Sequence, residues 1–360
     1  MKRTTLFLVF LLFLIDIAFA QKQNVNLLFA GDAMQHQSQI NTARTKEGFD
    51  YSECFRQVKD MIKGDITVVN LEVTLAGRPY SGYPLFGAPD EYAYALKDMG
   101  FNFFLTANNH SADRGKKGIE RTIQVLDSMR VKHTGTFADS VKRELYYPLM
   151  MIKNGIRIAM LNYTYDTNGM PVNAPNIVNL IDKKQMFEDI QLAKQMKADI
   201  IIANMHWGYE YKLKPSKEQK ELADFLVDNG VRLVIGSHPH VVQPVDIRRD
   251  ETGEINAIIV YSLGNFISGM KPVNTTGGMF FNIGISKEED NPVSIDTYDY
   301  SLVWTHKLMK DEKITGYKLL PVHKYYVKGG EKQLGAEDYA VMTSFADTAK
   351  KTIESMWKKE

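Results

Sequence analysis

The amino-acid sequence predicts an α/β protein. Short apolar runs typical of strands alternate with amphipathic stretches typical of helices from residue 25 to residue 262. Several strand-like runs end abruptly in polar side chains, at the edge where ligands bind in an open α/β sheet. After Tyr261 the alternation stops and consecutive strand-like runs follow, which predicts an antiparallel end to the fold.

The individual elements follow from two spacings. Strand-like runs are short and rich in β-branched or aromatic residues, whereas helical stretches repeat apolar residues every three or four positions. The predicted strands cover residues 25–30, 66–71, 101–106, 156–164, 200–204, 231–235, 257–262, 278–285, 300–305 and 314–320. The predicted helices cover residues 50–63, 89–99, 115–130, 182–197, 215–229 and 335–359.

The length of the chain allows one large domain or a core with an appendage. Its 360 residues include 44% hydrophobic and 24% charged residues, which is an ordinary globular composition. We predict a main domain over residues 21–330 and a helical tail over residues 331–360.

Residues 1–20 have the basic, apolar and small-residue parts of a secretory signal peptide. We expect export with cleavage after Ala20, and membrane anchoring if the segment is retained. Cleavage removes two basic residues and one acidic residue, so the formal net charge changes from +1 to zero. This balance gives no support for the basic face that a nucleic-acid-binding protein needs, so no nucleic-acid partner is predicted. The single cysteine, Cys54, cannot form an internal disulfide, and we expect a buried, inert thiol.

The strongest functional feature is the segment His238-Pro239-His240, which follows the apolar run 231–235. Two histidines separated by one proline at a strand end can turn both rings toward one point, which we predict to be a metal. Four other strand-like runs end in side chains that can bind a cation, at the same edge of the fold. Together the five strand ends deliver Asp32, Glu72, Asn109, His110, His206, His238 and His240.

Each of these residues also has a structural interpretation when taken alone. Asp32 could cap a helix or turn, His206 could be a partly buried histidine, and Asn109 could belong to a turn. Asp113 could orient the ring of His110 or cap the following helix, and capping is the favoured alternative. The convergence of five strand ends favours the metal site over these separate explanations.

Two further regions could contact a substrate. The glycine- and proline-rich segment 78–89, which begins at Arg78, could shape a pocket or simply pack as a connection. Asn265 ends another strand-like run and could line the same rim.

The ligand types indicate which ions would bind. Two divalent cations held close together need an anion between them, and Glu72 or Asp32 could bridge. Imidazole and amide ligands suit Mn, Fe, Zn or Co better than Ca. We therefore predict two divalent metal ions, whose uncompensated charge attracts an anionic small molecule or polymer and lowers the pKa of bound water.

At these residues the sequence resembles the CapA family of poly-γ-glutamate capsule synthesis proteins, within the calcineurin-like metallophosphoesterases. The resemblance extends approximately over residues 25–270. It rests on Gly31-Asp32, Asn70-Leu71-Glu72, Ala107-Asn108-Asn109-His110 with Asp113 and Gly115, His206-Trp207-Gly208, Gly236-Ser237-His238-Pro239-His240 and Ser262-Leu263-Gly264-Asn265-Phe266.

The resemblance implies a four-layer α/β/β/α sandwich of metallophosphoesterase type, with a binuclear metal site between two sheets. One metal would be held by Asp32, Glu72 and His240, and the other by Glu72, Asn109, His206 and His238, with Glu72 bridging. His110 matches a second-sphere histidine that protonates the leaving group or stabilises the transition state, so His110 and Asp113 are the candidate catalytic residues.

Two positions depart from the wider superfamily. Met34 stands where that superfamily usually has a histidine two residues after the aspartate, and Glu72 stands where it usually has an aspartate. Because one imidazole is missing, the sequence does not decide whether one or two metal sites are filled.

These observations leave two functional hypotheses. The first is a secreted metal-dependent hydrolase, in which metal-activated water attacks a phosphoester or a γ-glutamyl bond of a capsule-like polymer. The alternative is a non-catalytic envelope accessory protein that binds anionic polymer or works with export partners.

Overall fold

The computed structural model describes residues 22–289 and 291–357, so the predicted signal peptide lies outside the described residues. The strands are β1 (Gln23–Ala33), β2 (Ile66–Leu71), β3 (Phe103–Leu105), β4 (Lys132–Thr134), β5 (Thr136–Phe137), β6 (Leu149–Lys153), β7 (Ile156–Thr164), β8 (Ile177–Val178), β9 (Ile200–His206), β10 (Leu233–Ser237), β11 (Val245–Arg249), β12 (Ile255–Val260), β13 (Gly277–Lys287), β14 (Ser294–Lys310) and β15 (Lys313–Pro321). The helices are α1 (Gln37–Ala43), α2 (Ser52–Phe55), α3 (Asp90–Asp98), α4 (Gly115–Ser128), α5 (Ser140–Tyr146), α6 (Lys183–Gln195), α7 (Lys217–Asp228), α8 (Val322–Tyr325), α9 (Glu331–Leu334) and α10 (Ala336–Ile353).

Two large sheets form the centre of the fold. The first has the strand order β15-β14-β13-β1-β2-β3-β4, and the second has the order β11-β12-β10-β9-β7-β6. Strands β1 to β4 run parallel to one another, as do β7, β9, β10 and β12 in the second sheet. Strands β13, β14 and β15 are joined antiparallel, which confirms the antiparallel end predicted after Tyr261.

Alternating side chains divide the core into three apolar layers. Leu27 and Phe29 of β1 pack between the sheets against residues such as Ile202 of β9. The alternate position Leu28 packs instead against the helices outside the first sheet. Ile201 likewise packs against helices α6 and α7 outside the second sheet. Successive strand side chains point to opposite faces, so this division confirms the predicted four-layer α/β/β/α sandwich.

The predicted helix over residues 50–63 is wrong in extent. The structure has only the short helix α2 there, followed by a 3₁₀ turn at Lys59–Met61. Tyr51, Phe55 and Val58 are all buried in the same apolar cluster, so their spacing is satisfied by tight turns as well as by a helix. Cys54 in α2 is half-buried, and burial raises the pKa of its thiol to about 12, which keeps it protonated and unreactive at neutral pH.

The C-terminal helix α10 closes one end of the space between the sheets. Its buried residues Phe345, Ala346 and Ile353 belong to the same apolar cluster as Trp304 of β14. The domain boundary predicted near residue 330 stays a prediction. Within residues 22–289 and 291–357, no helix combines the length and the apolar character needed to span a bilayer.

Candidate metal centre

The parallel strands bring the predicted ligands together at their carboxyl ends. Asp32 lies near the end of β1, Glu72 directly follows β2, and His206 is the last residue of β9. His238 and His240 follow β10 in the second sheet, opposite Asp32. The site therefore lies between the two sheets, where the strand ends of both converge.

Two clusters of possible ligand atoms share Glu72, and they divide the residues differently from the two sets that the resemblance implied. Ligand atoms of Glu72, His238 and His240 lie within 4.8 Å of one another, and the same holds for Asp32, Glu72 and His206. Oε1 of Glu72 is 3.7 Å from Nε2 of His206 and also 3.7 Å from Nε2 of His240. Oε1 of Glu72 therefore lies at equal distance from one imidazole of each expected ligand set.

Asn109 and Asp32 complete the cluster. Oδ1 of Asn109 is 2.7 Å from Nε2 of His206, and Nδ1 of His240 is 3.1 Å from Oδ2 of Asp32. The backbone N–H of His238 donates to the same Oδ2 atom at 3.2 Å. All six predicted ligands are at least 97% buried.

Two buried polar atoms in this cluster have no hydrogen-bond partner in the described structure. They are Oε1 of Glu72 and Nδ1 of His238. A buried polar atom without a partner is costly, and native proteins rarely leave one without a reason. Two such atoms among carboxylate, imidazole and amide donors fit a site for divalent ions of the Mn, Fe, Zn or Co type.

The charges of the cluster also suit metal binding. Burial and the neighbouring Asp32 raise the pKa of Glu72 well above its ordinary value. Burial alone would raise the pKa of Asp32, but the hydrogen bond and charge of His240 lower it. Burial lowers the pKa of His206 and lowers that of His238 to about 3. Both rings are therefore neutral at pH 7, which is the form that binds a metal.

The backbone around the two histidines is strained. His238 has a φ of 97° and His240 a φ of 57°, in the left-handed region that residues other than glycine rarely adopt. The N–H of Tyr211 donates to the carbonyl of Pro239 at 2.8 Å and holds the intervening residue. Such strain is typical of functional sites, where the surrounding structure maintains it. Here it aims both histidines at one cluster.

Met34 contributes no ligand. It is 1% exposed and packs in the apolar layer between the first sheet and its covering helices. Its side chain therefore packs in the apolar core, and three imidazoles remain among the predicted ligands of the centre.

His110 and Asp113 form a buried pair beside the ligands. Nδ1 of His110 is 2.7 Å from Oδ2 of Asp113, which also accepts the backbone N–H of Phe86 at 2.6 Å. Phe86 in turn packs edge-on against the His110 ring, with centroids 4.6 Å apart. The capping alternative for Asp113 is wrong, because the N-cap residue of α4 is Arg114 and no side chain caps it. Tertiary contact with Phe86 draws the carboxylate to the histidine instead.

The two predicted substrate-contact residues have different surroundings. Asn265 is fully buried, with Oδ1 3.0 Å from Nδ1 of His240 and Nδ2 donating to the carbonyl of Thr275. These contacts favour a role in orienting His240 over direct contact with a substrate. Arg78 is exposed, and its guanidinium lies 5.3 Å from the ring centre of Tyr80. The residue of segment 78–89 that reaches the site is Phe86.

Comparison with known proteins identifies the family. The family model for the bacterial capsule synthesis protein PGA_cap matches residues 26–270, which is more than half of the chain and contains every predicted site residue. The chain belongs to this family.

Curated members of the capsule synthesis family are similar over part of their length. The capsule biosynthesis protein CapA of Bacillus anthracis is 30% identical over 262 residues, covering 69% of this chain and 60% of that protein. The PGA biosynthesis protein CapA of Bacillus subtilis is 32% identical over 183 residues, covering 49% of this chain and 45% of that protein. The matches therefore span between about half and three fifths of these relatives.

Solved structures resemble the fold only distantly. The NAD nucleotidase of Haemophilus influenzae matches with a TM-score of 0.49 and 12% identity, over 92% of this chain and 61% of that one. A 5'-nucleotidase from Candida albicans matches with a TM-score of 0.44 and 11% identity, over 91% of this chain and 57% of that one.

Asn70, which the sequence analysis named in a motif but gave no role, contacts two of the predicted ligands. Its Nδ2 donates to Oδ1 of Asp32 at 2.7 Å and lies 3.2 Å from Nδ1 of His206. Its Oδ1 accepts from Nδ2 of Asn108 at 3.3 Å, which fixes the amide. Contacts of this kind orient metal ligands. The motif Asn70-Leu71-Glu72 marks this position in the sequence, but nothing in it indicates a contact with Asp32 or His206.

Asn168 plays a similar part at Asn109. Its Oδ1 accepts from Nδ2 of Asn109 at 3.3 Å, so that Oδ1 of Asn109 faces His206. Asn168 lies in the loop between β7 and β8 and has a φ of 52°, a conformation that asparagine tolerates better than most residues.

Replacing Glu72 with glutamine is expected to change how the stability of the metal-free protein depends on pH. Burial raises the pKa of Glu72, so the native state keeps its proton when the unfolded chain, with a pKa near 4.5, has lost it. The free energy of unfolding therefore falls as pH rises from about 4.5 toward the raised pKa. The Glu72→Gln variant has no carboxyl group at this position, so its free energy of unfolding does not fall for this reason. Thermal unfolding of both chelator-treated proteins measures it.

The two melting temperatures should separate with rising pH, with the Glu72→Gln variant gaining a few degrees on the wild type by about pH 8. A difference in melting temperature that does not change with pH would contradict a raised pKa at Glu72.

Proposed function

We propose that this protein is a metal-dependent hydrolase of the CapA type. The observation that carries the proposal is the unpartnered Oε1 of Glu72 at the centre of six buried ligands, with the His110–Asp113 pair beside them. The substrate is a phosphoester or a γ-glutamyl bond in a capsule-like anionic polymer. Support for the polymer comes from membership in the capsule synthesis family.

The predicted metal ligands and the His110–Asp113 pair have different roles in the proposed hydrolysis. When bound, divalent ions supply Lewis-acid polarisation of the substrate and acidify water. Water attacks the phosphorus or carbonyl carbon and releases a proton to the solvent, and the bond to the leaving oxygen or nitrogen breaks with its electron pair staying on that leaving atom. His110 donates the proton that the leaving atom needs, and Asp113 holds the imidazole through Nδ1.

The proposed partners and cellular location rest on membership in the same family. An enzyme acting on a capsule-like polymer would meet it in the cell envelope, in keeping with the signal peptide predicted over residues 1–20. Components of a polymer export machine are the corresponding protein partners.

Metal content and turnover together test the proposal. We expect the purified chain, equilibrated with manganese after chelation, to retain one or two equivalents and to hydrolyse bis-p-nitrophenyl phosphate or to shorten poly-γ-glutamate. About two equivalents would indicate that Met34 is tolerated, whereas about one would indicate a mononuclear centre. A folded protein that retains negligible metal would overturn the enzyme proposal.

A second candidate is a non-catalytic accessory protein that binds anionic polymer. It is favoured by Met34, which replaces a possible ligand, and by two relatives. Both are probable polyglutamine synthesis accessory proteins of Mycobacterium tuberculosis, 25% identical over 222 residues that cover 56% of this chain. Equal retention of poly-γ-glutamate by the wild type and by a His238→Ala, His240→Ala double variant, without turnover by either, would favour this candidate.

A further inference from the structure

A cavity of about 230 Å³ adjoins the metal centre. We define the ring subsite as the five apolar or aromatic residues that line it: Tyr165, Ile181, Trp207, Tyr209 and Leu222. Tyr165 contacts both the cavity and the metal centre, because the centroid of its ring lies 4.5 Å from that of the His238 ring. One aromatic ring therefore separates the cavity from a predicted metal ligand.

The loop after β9 builds the floor of the ring subsite. Trp207, directly after the ligand His206, is 2% exposed, and its Nε1 donates to the carbonyl of Tyr261 at 2.9 Å. Gly208 has a φ of 88°, and a Cβ there would lie 2.5 Å from Oε1 of Gln219, so only glycine fits. These contacts hold the floor of the ring subsite in place, and the floor directly follows the predicted metal ligand His206 in the chain.

The walls of the ring subsite are aromatic side chains that remain open to solvent. Tyr209 is 58% exposed and Tyr165 is 42% exposed. Tyr211, two residues further along, has a strained φ of 66°, and its ring centre lies 6.4 Å from that of His240. Large exposed aromatic groups around a cleft are typical of binding sites, since rings stack well on them.

The polar rim limits what the cavity can bind. In the capping box of α7, Oγ of Ser216 accepts the N–H of Gln219 and Oε1 of Gln219 accepts the N–H of Ser216, so both oxygens are already engaged. The exposed carboxylate of Glu218 accepts hydrogen bonds and repels anions. The occupant is therefore an uncharged ring that presents hydrogen-bond donors, and a sugar with its hydroxyl groups has this chemistry.

We propose that the ring subsite binds a sugar unit of the substrate, next to the group that reacts at the metal centre. The size agrees, because an apolar cavity of about 150 Å³ is enough to bind benzene. This inference rests on the proposed function, and of its two substrate classes it favours the phosphoester, with a sugar next to the phosphoryl group, over the γ-glutamyl bond.

Substitution of Tyr209 tests the inference. We expect manganese-loaded protein to bind glucose 1-phosphate more tightly than methyl phosphate, which has no ring. Tyr209→Ala should weaken binding of glucose 1-phosphate roughly three- to tenfold, as loss of one aromatic contact predicts, with methyl phosphate unaffected. Tyr209→Phe keeps the ring and should retain the affinity. Tyr146→Ala is the matched control, since Tyr146 is 59% exposed and lies outside the cavity lining.

A binding measurement without turnover separates this inference from the proposed function. Methyl α-glucoside should show saturation transfer in NMR with chelator-treated wild-type protein, and the transfer should fall in Tyr209→Ala. Sugar binding without hydrolysis of any substrate would overturn the proposed function and keep the ring subsite. Equal affinities of wild type and Tyr209→Ala for glucose 1-phosphate would overturn the subsite. Tighter binding of phenyl phosphate, whose ring has no hydroxyl groups, than of glucose 1-phosphate would overturn its assignment to a sugar.

Discussion

Replacing His238 and His240 together with alanine is expected to remove metal binding and, with it, hydrolysis. His240 faces Asp32 and Glu72, and Nδ1 of His238 is one of the two unpartnered buried atoms of the centre. Loss of a residue that merely orients a ligand already lowers metal affinity about 10–100-fold, so loss of two ligands should exceed that. Manganese titration followed by calorimetry gives the affinity.

The matched control for this variant is the double substitution His133→Ala, His323→Ala. It removes the same number of imidazoles from the described chain, but His133 pairs with Asp127 and His323 follows β15. Metal affinity of the control should equal that of the wild type. Undiminished manganese affinity in the His238→Ala, His240→Ala variant would show that the ion binds elsewhere.

Replacing His110 with alanine is expected to lower kcat by about 10²–10⁴ while metal content is unchanged, because a positioned proton donor contributes that factor. The residue lies beside the ligands, 95% buried, and its Nδ1 is held by Asp113. Asp113→Asn should lower kcat less, since His110 is still present and loses only the carboxylate that orients its ring and stabilises its positive charge. Steady-state kinetics on an activated phosphodiester, with metal analysis of the same samples, measures both effects.

His306→Ala is the matched control for His110→Ala. His306 also pairs with a carboxylate, at 2.9 Å from Oδ2 of Asp338, but this pair joins β14 to α10. Its loss should leave kcat within a factor of about two. The proton-donor role of His110 would be excluded by unchanged kcat in His110→Ala, whereas a parallel loss of metal would reassign His110 to metal retention.

Local patterns in the sequence were sufficient to predict which residues cluster at the candidate centre and which strands position them. Asp32, Glu72 and His206 each terminate an apolar run, and parallel strands must bring such ends to one edge. The predicted helices near residues 89–99, 115–130, 182–197 and 215–229 correspond to α3, α4, α6 and α7. These segments are long and amphipathic, so their periodicity is a strong signal.

Short elements gave no comparable signal. Helices α1 and α5 have seven residues each, and β5 and β8 have two residues each. A period cannot be measured over so few positions, and tertiary contacts decide their conformation. The same holds for residues 50–63, where buried apolar side chains are spaced as in a helix but the backbone turns more tightly.

The sequence by itself determined the α/β class, the candidate metal-ligand residues and the membership in the capsule synthesis family, because each depends on local order along the chain. Tertiary structure alone decided that Asp113 supports His110, that Asn70 orients Asp32, and that Tyr165 joins the centre to a cavity. Partners in the last two cases lie 38 and 73 residues apart in the chain, and no local pattern encodes a contact between such distant positions. Only the packing of two sheets against each other creates it.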